Sequence, residues 1–142
     1  MNDPVVSEIR ALRANSGVAY VASVDEHGYP QVKAMLVLER DRLQVQYFST
    51  NTSSKRVEQF LKNPKASVYY CDEARFKGAL FVGSMEVRTD HATKAFLWRD
   101  GFEMYYPKGV GDEDYCVLVF TADTVNYYHD LNNVTLSVGT EE

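Results

Sequence analysis

The chain has 142 residues and a mass of 16.2 kDa, which is the usual size of one domain. Its 15 basic and 20 acidic residues give a net charge of −5, which argues against a general nucleic-acid binder or a membrane-surface binder, since both need a positive surface. The 45% hydrophobic and 25% charged residues exclude a disordered, collagen-like or coiled-coil chain. No apolar run approaches the roughly 20 residues that cross a bilayer.

The N-terminal residues predict no export signal, and the cysteines and histidines predict no metal centre. The sequence begins Met-Asn-Asp-Pro, without a basic or an apolar segment, so we expect no signal peptide and a cytoplasmic location. Cys71 and Cys116 lack metal-type spacing, and two reduced thiols are expected. His27, His91 and His129 lie far apart in the sequence, so no metal site is expected.

The first half of the chain predicts one helix followed by three strands. Val5, Ile9 and Leu12 recur at helical spacing, and Asn15-Ser16-Gly17 ends this helix. Short polar segments separate the three strands, which favours an antiparallel meander. The helix is predicted over residues 5–14 and the strands over 18–24, 30–38 and 43–49.

The second half predicts two more helices and four more strands. A helix of about ten residues follows the polar run at 49–54, and Asn63-Pro64 ends it. Asp90 is the predicted N-cap of the third helix, and Gly101 its end. A tight turn is expected at Ala122-Asp123. The strands are predicted over 66–71, 78–88, 115–121 and 124–128.

These elements predict a mainly β fold. About seven strands, joined mostly by tight turns, favour a small antiparallel barrel with three short flanking helices. A doubly wound parallel sheet is disfavoured because no helix separates the first three strands. Residues 1–142 are expected to form a single domain, in which a polar tail from about 130 to 142 is loosely held.

A basic pair at the start of the second helix suggests an anion site. Lys55 and Arg56 stand at the positive end of the helix dipole, where each costs about 0.3–1 kcal/mol. Free backbone N–H groups, hydroxyls and two cations would together hold a phosphate. The alternative is a solvated basic turn capped by Ser53.

Lys33 adds to this anion site. It shares a face of the second strand with Met35 and Val37, which is not a plain solvent position. In a meander the neighbour of this strand is the third strand, which ends beside Lys55 and Arg56. We therefore expect Lys33 to reach the same anion, with an exposed strand lysine as the alternative.

Two other segments have a structural and a functional interpretation. Asp112-Glu113-Asp114 fits a solvated turn better than a cation site. Trp98, Tyr105 and Tyr106 would cover a flat ligand, or equally belong to the core or a subunit interface. No side chain is assigned as a catalytic acid, base or nucleophile.

The order of several short motifs resembles the pyridoxamine 5′-phosphate oxidase-like FMN-binding split-barrel superfamily. Its general stress protein and nitroimidazole-resistance (Nim-type) branches are the most similar. The resemblance covers residues 5–129, roughly. The motifs are Gly28-Tyr29-Pro30, Lys33-Ala34-Met35-Leu36-Val37, Tyr47-Phe48-Ser49-Thr50-Asn51, Ser54-Lys55-Arg56, the segment 63–71, and the stretch from Glu103 to Leu118.

This resemblance implies a split β-barrel homodimer with FMN at the subunit interface. Lys33, Lys55 and Arg56 would hold the flavin phosphate, while two strand segments would line the ribityl chain and ring edge. Trp98 or Tyr106 of the partner subunit would close the ring pocket. The implied cofactor-binding residues are Lys33, Ala34, Met35, Leu36, Phe48, Ser49, Thr50, Ser54, Lys55, Arg56, Trp98 and Tyr106.

The sequence also departs from the true oxidases. Leu38 stands where those enzymes carry a further lysine, and Tyr127-Tyr128-His129-Asp130 lacks the arginine that grips pyridoxal phosphate, so vitamin B6 oxidation is not expected. The implied activity is flavin-mediated reduction of a small acceptor: a nitro compound, a quinone or free flavin. Alternatives are an F420-dependent reductase, a non-enzymatic flavin or haem carrier or stress sensor, or an interaction module whose basic turn binds a carboxylate.

Overall fold

The computed structural model describes residues 3–139, and within them seven strands form one antiparallel sheet with three helices around it. The predicted mainly β fold with three short helices is therefore confirmed. The strands are β1 (Val18–Val24), β2 (Pro30–Leu36), β3 (Val45–Asn51), β4 (Lys65–Asp72), β5 (Lys77–Arg88), β6 (Tyr115–His129) and β7 (Asn132–Ser137). The helices are α1 (Pro4–Ala14), α2 (Lys55–Lys62) and α3 (His91–Leu97).

The strand order leaves the barrel split between β2 and β3. The order is β2-β1-β4-β5-β6-β3, with β7 added to β6, so β2 and β3 are the two ends of this path. They approach each other without pairing. The predicted meander is wrong at this point, because β3 pairs with β6. The connection over residues 37–44 is longer than the two to five residues, roughly, of a hairpin loop.

A β-bulge stands where the sequence predicts a tight turn. β6 runs on through Ala122-Asp123 as one strand, so the two strands predicted here are one. Gly83 pairs with Ala122 and Val82 with Thr124, which makes Asp123 the extra residue of a bulge. A Cβ on Gly83 would overlap the carbonyl oxygen of Thr121, so this close approach requires glycine.

The seventh strand comes from the segment that was expected to be a loose tail. β7 pairs antiparallel with the end of β6 over residues 132–137. Asp130 and Leu131 form the connecting turn with positive φ angles of 48° and 65°, as a two-residue hairpin loop requires. The expectation of a loose segment is thus wrong for these residues, and residues 140–142 lie outside the described part.

Helix α1 covers one end of the barrel and carries a buried arginine into it. Arg13 is 1% exposed; its Nε donates to Tyr70 Oη at 3.1 Å and its Nη2 to the Glu39 carbonyl at 2.9 Å. Tyr70 Oη in turn donates to Gln46 Oε1 at 2.6 Å. A polar network therefore links α1 to β4 and β3 inside an otherwise apolar core.

Strand β3 lies between two hydrophobic clusters. Phe48 and Thr50 alternate with Tyr47 and Ser49 along the strand, so the two pairs face opposite sides. Phe48 belongs to the main barrel core. Tyr47 packs against the second cluster, which comprises Leu97, Phe102, Tyr106, Tyr115 and Val117.

The outside of the sheet carries a continuous apolar surface, which we call the outer apolar face. It crosses β2, β1, β4 and β5, because Ala34, Tyr20, Tyr69 and Leu80 are register partners in that order. Cross-strand partners share a face of the sheet. The face comprises the exposed residues Val18, Tyr20, Val32, Ala34, Leu36, Tyr69, Leu80 and Val82. None of the described helices is long and apolar enough to cross a membrane.

Candidate functional site

Helix α2 presents its basic pair in its first turn. Ser54 is the N-cap, with its Oγ accepting from the backbone N of Val57 at 3.4 Å, so the alternative cap at Ser53 is wrong by one residue. Val57 and Phe60 are buried and fix one side of the helix against the barrel. Asn63 is the C-cap, as predicted, since Pro64 cannot continue the helix.

Lys33, Lys55 and Arg56 line one cavity of about 90 Å³, which we call the inner cavity. The convergence predicted for these three cations is present, although the route is different. β2 reaches α2 through β1, where Ser23 donates to Oε1 of Gln59 on α2. The inner cavity is lined by Ser23, Gln31, Val32, Lys33, Lys55, Arg56 and Gln59.

These three cations have no anionic partner among residues 3–139. The salt bridges of this part of the chain are made by other basic residues, such as Lys62 with Glu58 at 3.6 Å. Nε of Arg56 is buried without a hydrogen-bond partner, and burial lowers the pKa of its guanidinium. Buried polar groups nearly always have partners, so an orphaned guanidinium nitrogen at a cavity points to an anion there.

Strand β2 divides its predicted site residues between two faces. Met35 is 9% exposed and shares the inward face with Lys33, whereas Leu36 is 52% exposed and shares the outer apolar face with Ala34. The strand thus contributes a cation to the inner cavity and apolar side chains to the outside of the sheet.

The predicted residues of β3 are largely committed to packing. Phe48 is 1% exposed and Thr50 is buried, so both side chains are occupied by the core. Ser49 lies on the other face, on the side of the second cluster, where burial raises the pKa of Tyr106. A ligand beside β3 would therefore meet mainly its backbone.

The predicted aromatic cover belongs to the second cluster. Tyr106 is buried, with its ring centroid 4.5 Å from that of Tyr115. Trp98 is half-buried and packs edge-on against Tyr115 at 5.3 Å. The exposed large hydrophobic side chains of residues 98–110 are Met104 and Tyr105. Of the two interpretations of these aromatics, core packing applies to Tyr106 in this chain.

A carboxylate clamp that the sequence did not reveal holds the turn before α2. Asp114 accepts from the backbone N of Ser53 and from Asn51 Nδ2, and its carbonyl accepts from the backbone N of Thr52 at 2.9 Å. Hydrogen bonds from Ser53 and Asn51 lower the pKa of Asp114. The predicted solvated turn is thus the structural support of the basic pair.

Asp112 extends this clamp toward α3. Its carboxylate accepts from the backbone N of Asp114 at 2.9 Å and of Lys108 at 3.0 Å. Its carbonyl accepts from the buried Nζ of Lys94 at 3.1 Å. The signal in the sequence is the spacing of Asp112 and Asp114, because an aspartate often accepts a hydrogen bond from the backbone N two residues later.

A second, larger space continues from the inner cavity along α2, and we call it the outer cleft. It has a volume of about 300 Å³ and shares Gln31, Lys55 and Gln59 with the inner cavity. Within residues 3–139, no three His, Cys, Asp or Glu side chains are grouped as metal ligands. The outer cleft is lined by Val24, Asp25, Glu26, His27, Gln31, Lys55, Glu58, Gln59, Lys62 and Asn63.

Comparisons with known proteins match this chain over most of its length. A family model described as pyridoxamine 5′-phosphate oxidase matches residues 5–129. A Clostridium acetobutylicum structure, of a protein related to general stress protein 26 of B. subtilis (pyridoxinephosphate oxidase family), is 40% identical, with 97% of each chain covered and a TM-score of 0.88. The curated proteins gave no significant match.

More distant structures share the fold. General stress protein 26 from Bacillus anthracis is 18% identical over 92% of this chain and 97% of that one, with a TM-score of 0.75. A heme binding protein from Mycobacterium smegmatis is 14% identical over 96% of this chain and 59% of that one, with a TM-score of 0.74. Together with the family match and the 40% identical structure, the split sheet shows that this chain belongs to the pyridoxamine 5′-phosphate oxidase family.

Proposed function

We propose that this protein binds FMN, with the flavin phosphate in the inner cavity, and reduces a small acceptor. The observation that carries the proposal is the set of three unpaired cations, Lys33, Lys55 and Arg56, around that cavity. A volume of about 90 Å³ is roughly that of three liquid waters, which suits one phosphate group and not a whole cofactor.

The residues present fit a phosphate. The orphaned Nε of Arg56 would gain an acceptor, and the two lysines would add charge-assisted hydrogen bonds. Ser54 already uses its Oγ as the helix cap, so its part in binding would be to hold the first turn of α2 in place.

We further propose a homodimer that forms through the outer apolar face. Eight exposed and mostly hydrophobic side chains in one continuous surface are unusual for a monomer and typical of an interface. Ala34 and Leu36 belong to this face while Lys33 of the same strand lines the inner cavity, so a cofactor bound there would lie beside the subunit boundary.

The flavin, when bound, supplies hydride or electron transfer, and the acceptor would be a nitro compound, a quinone or free flavin. The chain would anchor the phosphate, and Trp98 of the partner subunit, which is half-buried, would shield the ring. No side chain is assigned to proton transfer. Cys71 and Cys116 are both free, which fits a reducing compartment, and we place the protein in the cytoplasm.

The first experiment is the visible absorption spectrum of the purified protein, with and without added FMN, followed by gel filtration. Flavin bands that stay with a dimer-sized peak would support the proposal. A Soret band would favour the haem carrier instead. A colourless protein that takes up no FMN would contradict the phosphate assignment.

A matched pair of lysine variants tests the site itself. Lys55→Ala should weaken FMN binding about tenfold or more, since a charge-assisted contact contributes about 1.5–3 kcal/mol. Lys65→Ala removes the same charge from the exposed start of β4 and should bind FMN like the wild type. Equal FMN affinities of the two variants would remove Lys55 from the site.

A further inference from the structure

Lys94 of helix α3 is a buried cation without a carboxylate partner. Its side chain is 7% exposed, whereas a lysine is rarely buried unless it is paired. Its Nζ donates to the carbonyl oxygen of Asp112 at 3.1 Å and lies 5.3 Å from the ring centroid of Tyr115. Neither contact is with a negative charge, so within residues 3–139 this ammonium group is desolvated without an ion pair. Such a departure from ordinary burial is costly and is typical of a residue that is kept for function.

The packing around Lys94 holds its ammonium group in one place. The carbonyl oxygen of Lys94 accepts a hydrogen bond from Tyr115 Oη at 2.7 Å. Tyr115 is itself fully buried, and its ring packs against those of Trp98 at 5.3 Å and Tyr106 at 4.5 Å. The lysine therefore extends from a rigid base, and a fixed donor of this kind can hold another chain segment in place.

The segment that Lys94 holds is the one that carries the Asp114 clamp. The carboxylate of Asp112, whose carbonyl binds Lys94, accepts from the backbone N of Asp114 at 2.9 Å. The carboxylate of Asp114 in turn accepts from the backbone N of Ser53 at 2.8 Å, two residues before Lys55. Three consecutive hydrogen bonds thus lead from the buried ammonium group to the turn that presents the basic pair.

Lys94 would act on a phosphate only through this route. It does not line the inner cavity, whereas Lys55 and Arg56 do. Charge-assisted hydrogen bonds need correct distance and alignment, so a small displacement of the first turn of α2 would weaken the contacts of both cations together.

We propose that Lys94 is a positioning residue of the phosphate site. Through the Asp114 clamp, its buried charge holds the first turn of α2 so that the basic pair faces the flavin phosphate. The inference rests on the proposed phosphate site in the inner cavity. Its consequence is selective: loss of Lys94 lowers the affinity for a flavin that carries a phosphate and leaves the affinity for riboflavin unchanged.

The test is Lys94→Met in the full chain, titrated with FMN and with riboflavin and followed by flavin fluorescence. Methionine is unbranched and apolar, so it fills the space of the lysine stem while the charge and the donor are lost. FMN binding should weaken about fivefold or more, as for coupling within one hydrogen-bonded network, and riboflavin binding should stay within about twofold. Lys65→Met is the matched control, because it removes one positive charge from the exposed start of β4 and should bind both flavins like the wild type.

A double-mutant cycle shows whether Lys94 acts through the clamp. Lys94→Met and Asp114→Ala release the same turn, so the double variant should bind FMN within about twofold of Asp114→Ala alone. Effects of the two substitutions that multiply would overturn the proposed route, since Lys94 would then act independently of Asp114.

The two flavins also separate this inference from the proposed function. A wild type that binds FMN no better than riboflavin would contradict the phosphate site itself. A wild type and a Lys94→Met variant that favour FMN equally would overturn only the role of Lys94. If Lys94→Met does not fold, Tyr115→Phe removes the hydrogen bond to the Lys94 carbonyl and keeps the ring, and the same selective loss of FMN affinity is expected. Equal changes in FMN and riboflavin affinity in that variant would overturn the inference.

Discussion

The carboxylate of Asp114 accepts a hydrogen bond from the backbone N of Ser53 at 2.8 Å, across 61 residues of sequence. The same carboxylate accepts from Asn51 Nδ2 at 2.9 Å. Lys55 and Arg56 follow within three residues of Ser53, so the position of both cations depends on a residue that lies outside the inner cavity.

Asp114→Ala should weaken FMN binding while leaving riboflavin binding near the wild-type value. The variant releases the turn that presents the basic pair, and riboflavin has no phosphate to sense the change. Glu113→Gln is the control, because it removes a neighbouring exposed charge that has no partner in the clamp. Titration of both flavins is the measurement. Equal FMN affinities of the two variants would show that the clamp does not position the cations.

Asp90 should give the protein an acid-sensitive component of stability. Hydrogen bonds from the hydroxyl and backbone N of Thr93, and then from Arg88, lower the pKa of Asp90 to about 2. The unfolded value is about 3.9, so this stabilisation is full above about pH 4 and is lost as the pH falls through 2. The Tm advantage of the wild type over Asp90→Asn should therefore shrink between about pH 5 and pH 2. A constant difference over that range would contradict the prediction.

Arg13→Ala should lower the free energy of unfolding by about 3–5 kcal/mol, the usual cost of breaking a buried ion pair. The change leaves Tyr70 Oη without its donor and Glu39 without its cation, which lies 3.6 Å away. Urea unfolding measures the loss. The double variant Arg13→Met with Glu39→Gln removes both charges and should recover part of it. A double variant less stable than Arg13→Ala would show that the charges themselves are not the cause.

Gly83→Ala should lower Tm strongly, because the added methyl group would overlap the carbonyl oxygen of Thr121 at the bulge. Backbone on both sides of the contact belongs to paired strands and cannot move away cheaply. Gly17→Ala is the matched control, since its methyl group would meet open space. Thermal unfolding by circular dichroism compares them, and equal Tm values would mean that the sheet shifts to accept the methyl group.

Local signals in the sequence predicted the elements well and their pairing poorly. Asn63-Pro64 and Asp90 set helix boundaries through backbone chemistry within a few residues, and both predictions are confirmed. The partner of β3 depends on contacts with β6, nearly 70 residues later, and no local pattern contains them. At Ala122-Asp123 the sequence predicted a turn and the structure has a β-bulge. The two are hard to tell apart from residue types, because both interrupt the regular hydrogen-bond pattern between strands.

In the candidate site, too, the features set by local sequence were predicted and those set by distant residues were missed. The basic pair and Lys33 were predicted from residues that break a local preference, and the structure places all three around one cavity. Their cofactor role stays a prediction. The Asp114 clamp was missed because its partners are backbone groups of a distant turn, and a carboxylate that binds backbone looks the same in sequence as a solvated one.

The unpaired ends of the sheet have a consequence for how this protein should be mutated. Along β2 and β3, every second N–H and C=O faces the split rather than another strand of the described chain. Every residue except proline supplies the same backbone N–H and C=O groups. The affinity for a ligand that these groups bind should therefore change little when a side chain is replaced. An alanine scan of the split would thus report little loss even where the main chain does the binding. Proline or backbone-ester substitutions are the changes that would reveal it.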